Sequence, residues 1–331
     1  VNIITSSAKK GLHGGGSVET GSFNTKKYST TVSNRTDLGY IKLNANRTDV
    51  GGFSAFEAKE TSPNYGKRGE ELGYERDGYT NNTYSIQGGL NLTDSDELNL
   101  SYKKIDAKYD YDSTNADNRT NKTDLNHFFK STNYIHSAEK YNIKLNAQQS
   151  TFDRTQNTFK AKSLLNEFGA QTNINYIDKA DLVLGVNKQN FEHKTDKLKY
   201  QTEGVFASNS NTFDKLVLTQ ALRYDEKSTG KIGTKYNFTE DLNTSANYGT
   251  AYNAPTLSNL SYTPTLKPET SESFDVGLEY KNFKVTYFEN IITDMINYIS
   301  GSNPVQYENL NGETTLKGYE FAYKKDVLKD T

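Results

Sequence analysis

Carboxylates, hydroxyls and imidazoles are plentiful in this chain of 331 residues, yet they do not assemble into a catalytic pattern. Ser, His and Asp could be written down as a triad, but no Gly-x-Ser-x-Gly elbow positions a nucleophile. The four histidines, His13, His127, His136 and His193, are scattered with no pair at metal-ligand spacing, and read as wall or lumen residues. Gly14-Gly15-Gly16 lacks the Lys-Ser/Thr of a phosphate loop and reads as a flexible strand start. The absence of cysteine removes disulfides, thiolate metal sites and cysteine nucleophiles. What remains is acidic and aromatic. Glu70, Glu71, Glu75 and Asp77 crowd one polar segment, and Asp110, Asp112 and Asp117 crowd another. Such residues also populate ordinary solvated turns, where their side chains satisfy the backbone. Tyr65, Tyr74, Tyr79 and Tyr109 stand among them and could stack on a bulky substrate, or belong to an interfacial aromatic belt. The chemistry on offer is binding, not catalysis, and the chain is expected not to be an enzyme.

The elements that must position these residues are short strands of period two. In residues 84–92, Tyr84, Ile86, Leu90 and Leu92 face one way while Ser85, Gln87 and Asn91 face the other. The same split recurs in 141–147 and 274–280. Sixteen strands are expected, near 12–22, 27–34, 38–48, 80–92, 97–109, 122–136, 140–152, 161–177, 181–191, 200–209, 213–224, 230–238, 242–251, 271–280, 283–294 and 312–325. Tight connections at Arg35-Thr36-Asp37, 93–96, 177–180, 239–241 and Lys281-Asn282 are expected to alternate with long polar ones at 49–79, 110–121, 252–270 and 295–311. A soluble sandwich has no reason to gather its tight turns at one end, whereas an outer-membrane barrel has short periplasmic turns and longer external loops. The expected fold is therefore all-β, a transmembrane antiparallel up-and-down β-barrel.

Composition fits that reading and excludes others. The mean hydropathy is -0.83 and no stretch approaches the length of a membrane helix. In a barrel only alternate residues meet lipid, so low hydropathy is no objection. The 39 Lys+Arg are balanced by 41 Asp+Glu and interspersed with them, which leaves no basic footprint for nucleic acid. Twenty-four Tyr and 16 Phe suit interfacial girdles, although Trp, usual there, is absent. No Pro- or Ser-rich linker or composition shift divides the chain. An open strand edge in hydrocarbon leaves orphan backbone groups, so further strands are expected to complete the wall.

Four segments resemble the TonB-dependent outer-membrane receptor family. VNIIT with Lys9-Lys10-Gly11 resembles the last plug strand before the barrel; YGTAYNAPTLSNL (248–260) with LKPETSESFDVGLEY (266–280) resembles a mid-barrel run; YFENIITDMINY (287–298) and YENLNGETTLKGYEF (307–321) resemble the strands that follow. The resemblance implies a barrel of about 22 strands around an N-terminal plug, with residues 1–11 the end of the plug and its linker and 12–331 a partial barrel of about 16 strands. It implies a bacterial outer-membrane location, contact with outer-membrane lipid, a monomer, and a TonB-type energy-coupling partner reached through an N-terminal segment. Within the family, the run Glu75-Arg76-Asp77-Gly78-Tyr79 followed by Tyr109-Asp110-Tyr111-Asp112 and Asp117-Asn118-Arg119 resembles the calcium-binding loops of cobalamin receptors. That likeness makes Glu75, Asp77, Asp110, Asp112 and Asp117 the expected calcium ligands, chemically reasonable because calcium takes six to eight oxygens. Calcium is the one metal expected, and no other cofactor is required. A further carboxylate of the family pattern falls near Phe53-Ser54 here, which removes one ligand. The expected function is active uptake of a scarce bulky nutrient, cobalamin first. A ferric siderophore is the alternative, and a passive porin or adhesin using the same wall is a second. The loop at 49–79 holds Glu57, Glu60, Glu70, Glu71, Glu75 and Asp77 against Lys59, Lys67, Arg68 and Arg76, which disfavours an anionic chelate.

Overall fold

Period-two alternation over nine or more residues commits a chain to strands long enough to cross a bilayer at a tilt, and this chain is almost entirely such strands. The computed structural model describes residues 8–54, 56, 63, 65–67, 69–112, 117–302 and 304–325. The expected plug strand at 1–5 lies outside those residues. In order, the strands are β1 (Gly11–Gly21), β2 (Thr25–Thr36), β3 (Gly39–Val50), β4 (Tyr79–Asn91), β5 (Asp96–Asp110), β6 (Lys122–Ser137), β7 (Tyr141–Gln156), β8 (Phe159–Ile177) and β9 (Ala180–His193). They continue as β10 (Leu198–Phe213), β11 (Leu216–Tyr224), β12 (Ser228–Asn237), β13 (Leu242–Asn253), β14 (Glu269–Tyr280), β15 (Phe283–Thr293), β16 (Ile296–Tyr298), β17 (Tyr307–Asn309) and β18 (Glu313–Tyr323). Sixteen of them pair in sequence order into one sheet, β1 through β15 and then β18. The registers from β1 to β6, from β10 to β15 and between β15 and β18 are all antiparallel, as an up-and-down wall requires. Among the described residues no helix is long and apolar enough to cross a membrane.

All sixteen expected wall strands are present, with boundaries shifted by a few residues. The largest shifts come where a polar stretch continues a strand: β10 runs on through Ser210, Asn211 and Thr212, and β7 runs on to Gln156. Three small elements interrupt segments read as plain loops, the first a turn of 3-10 helix at Gly69–Leu72. A one-turn helix, α1 (Leu257–Tyr262), starts on a capping box between Thr256 and Asn259, and β16 pairs with β17 as a separate two-stranded hairpin.

The tight connections 37–38, 92–95, 138–140, 178–179, 214–215, 238–241 and 281–282 fall at one end of the strands. Several turn by placing one residue in the left-handed region, with φ of 58° at Lys179, 50° at Asp214 and 53° at Lys281. The opposite end carries the long segments 51–78, 111–121, 254–268 and 294–312. It also carries short connections at 22–24, 157–158, 194–197 and 225–227, so the strict short–long alternation expected from sequence holds only at the tight-turn end.

By contacts the chain divides into two compact units: residues 1–137, 144–168 and 189–199, and residues 138–143, 169–188 and 200–331. In the first, Leu43, Ile86, Tyr102 and Leu100, Gly88, Ile41 form cross-strand rows on one face, while Asn44, Ser85, Lys103 and Gln87, Ser101, Ser131 form rows on the other. The polar rows are tied together, Thr31 Oγ1 to Asn44 Oδ1 at 2.7 Å and Ser101 Oγ to Ser131 Oγ at 2.7 Å. In the second unit, aromatic residues gather at the tight-turn end of the apolar face. Tyr236 and Phe238 lie 4.9 Å apart between ring centroids, and Phe283 and Tyr323 lie 4.6 Å apart. Rings at that level suit the boundary between hydrocarbon and water.

Candidate functional site

The acidic segments expected to bind are carried by the loop ends of β3, β4, β5 and β6. Past the last β3–β4 pair, Val50 with Tyr79, the two chains stay together: Asp77 N donates to Phe53 O at 3.2 Å, and Asp110 N donates to Gly78 O at 3.0 Å. Gly52 makes this close approach possible. Its φ is 71°, and a Cβ there would lie 1.9 Å from the Asp77 carbonyl oxygen. The result is a backbone frame that sets residues 52–54, 75–78 and 110–112 side by side.

Within that frame Glu75, Asp112 and Asp117 each offer a carboxylate oxygen, all within 4.8 Å of one another. Asp112 is fixed by backbone donors, Phe56 N to Oδ2 and Asn118 N to Oδ1, both at 2.8 Å. Ser54 Oγ donates to Asp112 Oδ2 at 3.1 Å and reaches Asp117 Oδ1 at 3.5 Å. Arg119 borders the group, with Nη2 donating to Gly73 O at 2.8 Å and Nε 3.5 Å from Glu75 Oε2. Three negative charges thus face one guanidinium. Burial pushes the Glu75 carboxyl above its ordinary value, and a hydrogen bond and charge repulsion from Asp117, with repulsion from Asp112, push it the same way. A site whose carboxylates resist ionising together is one that a cation would relieve. Calcium fits the donor set, which is all oxygen and includes carboxylates and a hydroxyl, and Glu75, Asp112, Asp117 and Ser54 are the residues able to hold it.

Three of the five expected ligands therefore come together. Asp77 and Asp110 stand outside the group of three: Asp110 lies 4.0 Å from Lys122 Nζ, and Asp77 lends its backbone to the frame. In the sequence the Phe53-Ser54 position reads only as a lost carboxylate. The structure puts the Ser54 hydroxyl inside the cluster as a neutral oxygen, a placement signalled only by a fold that returns 52–54 alongside 77.

The four expected aromatic residues sit in different local settings. Tyr79 and Tyr109 are direct cross-strand partners, and the Tyr109 ring lies 6.2 Å from that of Tyr111. Tyr111 was not among the expected substrate residues. Its hydroxyl accepts from Gln156 Nε2 at 2.8 Å, which ties the loop at 111–121 to the end of β7. Tyr74 packs edge-on against Phe56 at 5.5 Å, and Tyr65 is exposed.

In the second unit the loops at 254–268 and 294–312 are joined by Asn309. Its Oδ1 accepts from Lys267 N at 2.8 Å, and its Nδ2 donates to Lys267 O at 3.0 Å and to Asp294 O at 2.7 Å. Tyr307 N donates to Thr263 Oγ1 at 3.0 Å, and the Tyr307 ring lies 6.4 Å from Tyr262 and 5.7 Å from Tyr298.

Residues 20–328 match the family described as TonB dependent receptor-like, beta-barrel. Over 129 residues the chain is 34% identical to the vitamin B12 transporter BtuB of Vibrio vulnificus, a match covering 36% of this chain and 21% of that protein. Among solved structures it resembles a mutant of the ferric enterobactin receptor PfeA of Pseudomonas aeruginosa, with a TM-score of 0.80 and 16% identity, over 99% of this chain and 62% of that one. It also resembles the siderophore receptor PirA of Pseudomonas aeruginosa, with a TM-score of 0.75 and 15% identity, over 97% of this chain and 64% of that one. The chain thus spans less than two thirds of these receptors, and likenesses at such identity concern the fold alone.

Proposed function

The chain belongs to the TonB-dependent receptor β-barrel family of the bacterial outer membrane, and from that membership we propose that it forms the wall of an active transporter whose substrate is cobalamin, captured at the loop end with the help of calcium. The observation that carries the reading is the convergence of Glu75, Asp112 and Asp117 on one point, with Ser54 among them. Calcium there would neutralise the cluster and hold the loops at 51–78 and 111–121 in one arrangement, so that the tyrosines nearby are fixed before the ligand arrives. The local identity to a vitamin B12 transporter supports the same substrate. Release inward would follow a pull on a plug by a TonB-type partner, with the barrel as the passage.

A ferric siderophore is the second reading, since receptors named for such ligands are built on this same fold. Against it, the acidic cluster would repel an anionic chelate. Family membership replaces the passive porin and the adhesin. Equilibrium binding to the purified receptor separates the two substrates: cyanocobalamin should bind tightly and ferric enterobactin weakly. The reverse order would overturn the assignment.

A further inference from the structure

The apolar face of the first unit carries a groove where its side chains become small. Across the neighbouring strands β5 to β8, Leu100 and Tyr102 form one bank, Thr132 and Ala147 the floor, and Phe168 the other bank. Leu100 and Phe168 keep 50% and 51% of their surface exposed, so this groove of about 430 Å³ opens on whatever lies beside the wall. Membership of an outer-membrane barrel family sets the apolar face against lipid.

The groove ends at a polar rim. Lys130 is the cross-strand partner of Tyr102, and beside it Gln149 Nε2 donates to Asn166 Oδ1 at 2.9 Å. Lys130 stands eight residues before Ala138 and Gln149 nine beyond Lys140, the two ends of a tight connection. That is about 27–31 Å of strand, or about 21–23 Å of height at a 40° tilt, close to the ~25 Å apolar band of an outer-membrane barrel. Farther along the same face Lys104 meets Asp106 at 3.7 Å and Lys108 meets Asp124 at 3.2 Å, ion pairs expected where a wall has left hydrocarbon. The groove therefore lies in the half of the bilayer nearer the long loops, with its upper end at the headgroups.

The rim is charged. Lys130 is exposed and, among the described residues, meets no carboxylate, whereas Lys104 and Lys108 each have one. A cation at the edge of hydrocarbon extends its stem toward the headgroups and is best matched there by an anion. The amide pair keeps bonding capacity for a partner from outside, since each amide carries both donors and an acceptor and one bond joins the two. Facing bare hydrocarbon those groups would be costly; facing polar headgroup atoms they are satisfied. An unpaired positive charge and two amides above an apolar groove complement a molecule with a phosphate and polar linkages above an acyl chain.

We propose that this groove binds a phosphate-bearing lipid of the outer leaflet, with an acyl chain lying over Ala147 between Tyr102 and Phe168 and the phosphate on Lys130. The site is on the lipid side of the wall and does not depend on which nutrient the loops capture. The test titrates the purified receptor in detergent with lipid A, an acylated sugar bearing phosphates, and with its phosphate-free form, and reads bound lipid by native mass spectrometry. The phosphate-bearing form should bind at least about fivefold more tightly. Lys130→Gln should weaken that form about fivefold and leave the phosphate-free form unchanged, while Lys108→Gln, which removes a lysine already paired with Asp124, should leave both within about twofold. Ala147→Phe fills the groove and should weaken both forms about tenfold; Thr132→Leu fills it from β6 and should do the same, which covers the case that the first variant does not fold. Equal affinity of the wild type for the two forms, or no binding of either, would overturn the proposal. So would unchanged binding in a folded groove-filling variant, or equal losses in Lys130→Gln and Lys108→Gln, since either result would leave only unspecific contact with lipid.

Discussion

Replacing Glu75 by Gln should move the calcium-free and the calcium-loaded receptor in opposite directions. Glu75 faces Asp112 and Asp117 with oxygens within 4.8 Å, and two unit charges at that distance repel by about 1 kcal/mol in water and about 3.5 kcal/mol at an effective dielectric of 20. The Arg119 guanidinium at 3.5 Å offsets roughly one of those two pairs. One pair is left uncompensated, and solvent screening reduces it to about 1–2 kcal/mol. Glutamine keeps the shape and removes the charge, so the calcium-free loops should gain that amount. With calcium the sign reverses, because an anionic ligand is lost. A site of about 10 µM affinity contributes about 2.7 kcal/mol at 1 mM calcium, and a tenfold weaker one about 1.4 kcal/mol. Amide hydrogen exchange over 73–78 and 110–121 reads both effects. Glu75→Gln should exchange more slowly than wild type in chelator and gain less protection on adding calcium. Faster exchange in chelator would show that the three carboxylates are not in net repulsion. Undiminished protection by calcium would show that Glu75 is not a ligand.

The same geometry carries further expectations. Because its surroundings raise the Glu75 carboxyl, the calcium-free fold is favoured below the ordinary carboxylate range and loses that contribution as pH rises through the raised value; calcium must displace the proton, so calcium affinity should fall on going from neutral to mildly acidic pH, as calorimetric titration at the two pH values would report. Gly52→Ala forces a Cβ onto the Asp77 carbonyl and should abolish calcium-induced protection of the loops, whereas Gly66→Ala, which has a similar φ of 75° but meets no atom within 4 Å, should cost only about 1 kcal/mol locally and leave that protection intact. Asn309→Ala removes two hydrogen bonds between the loops at 254–268 and 294–312 and one within the latter, and should raise exchange in both by the equivalent of about 1–3 kcal/mol without lowering the melting temperature of the barrel.

The wall was legible because period two is a long-range signal. Each strand repeats it over nine or more residues, and a single misread position does not change the sum. What escaped depends on contacts distant in sequence. Ser54 enters the carboxylate group only because Gly52 lets its segment lie against Asp77, and no local pattern announces that return. Helix α1 is a single turn, too short for periodicity, although the Thr256 and Asn259 cap was present to be read. The strand expected at 200–209 runs on because Ser210, Asn211 and Thr212 pair with Thr219, Leu218 and Val217 of β11, and Asp214 takes the left-handed turn.

Cobalamin capture assisted by calcium is the central claim, and equilibrium binding of cyanocobalamin to the purified receptor, with calcium and again with chelator, tests it most directly. The account predicts tight binding in calcium, weakened at least about tenfold by chelation, with Ser54→Asp reducing the calcium needed because it adds a fourth carboxylate beside Asp112 and Asp117. Binding of equal strength in both conditions, or none in either, would contradict it.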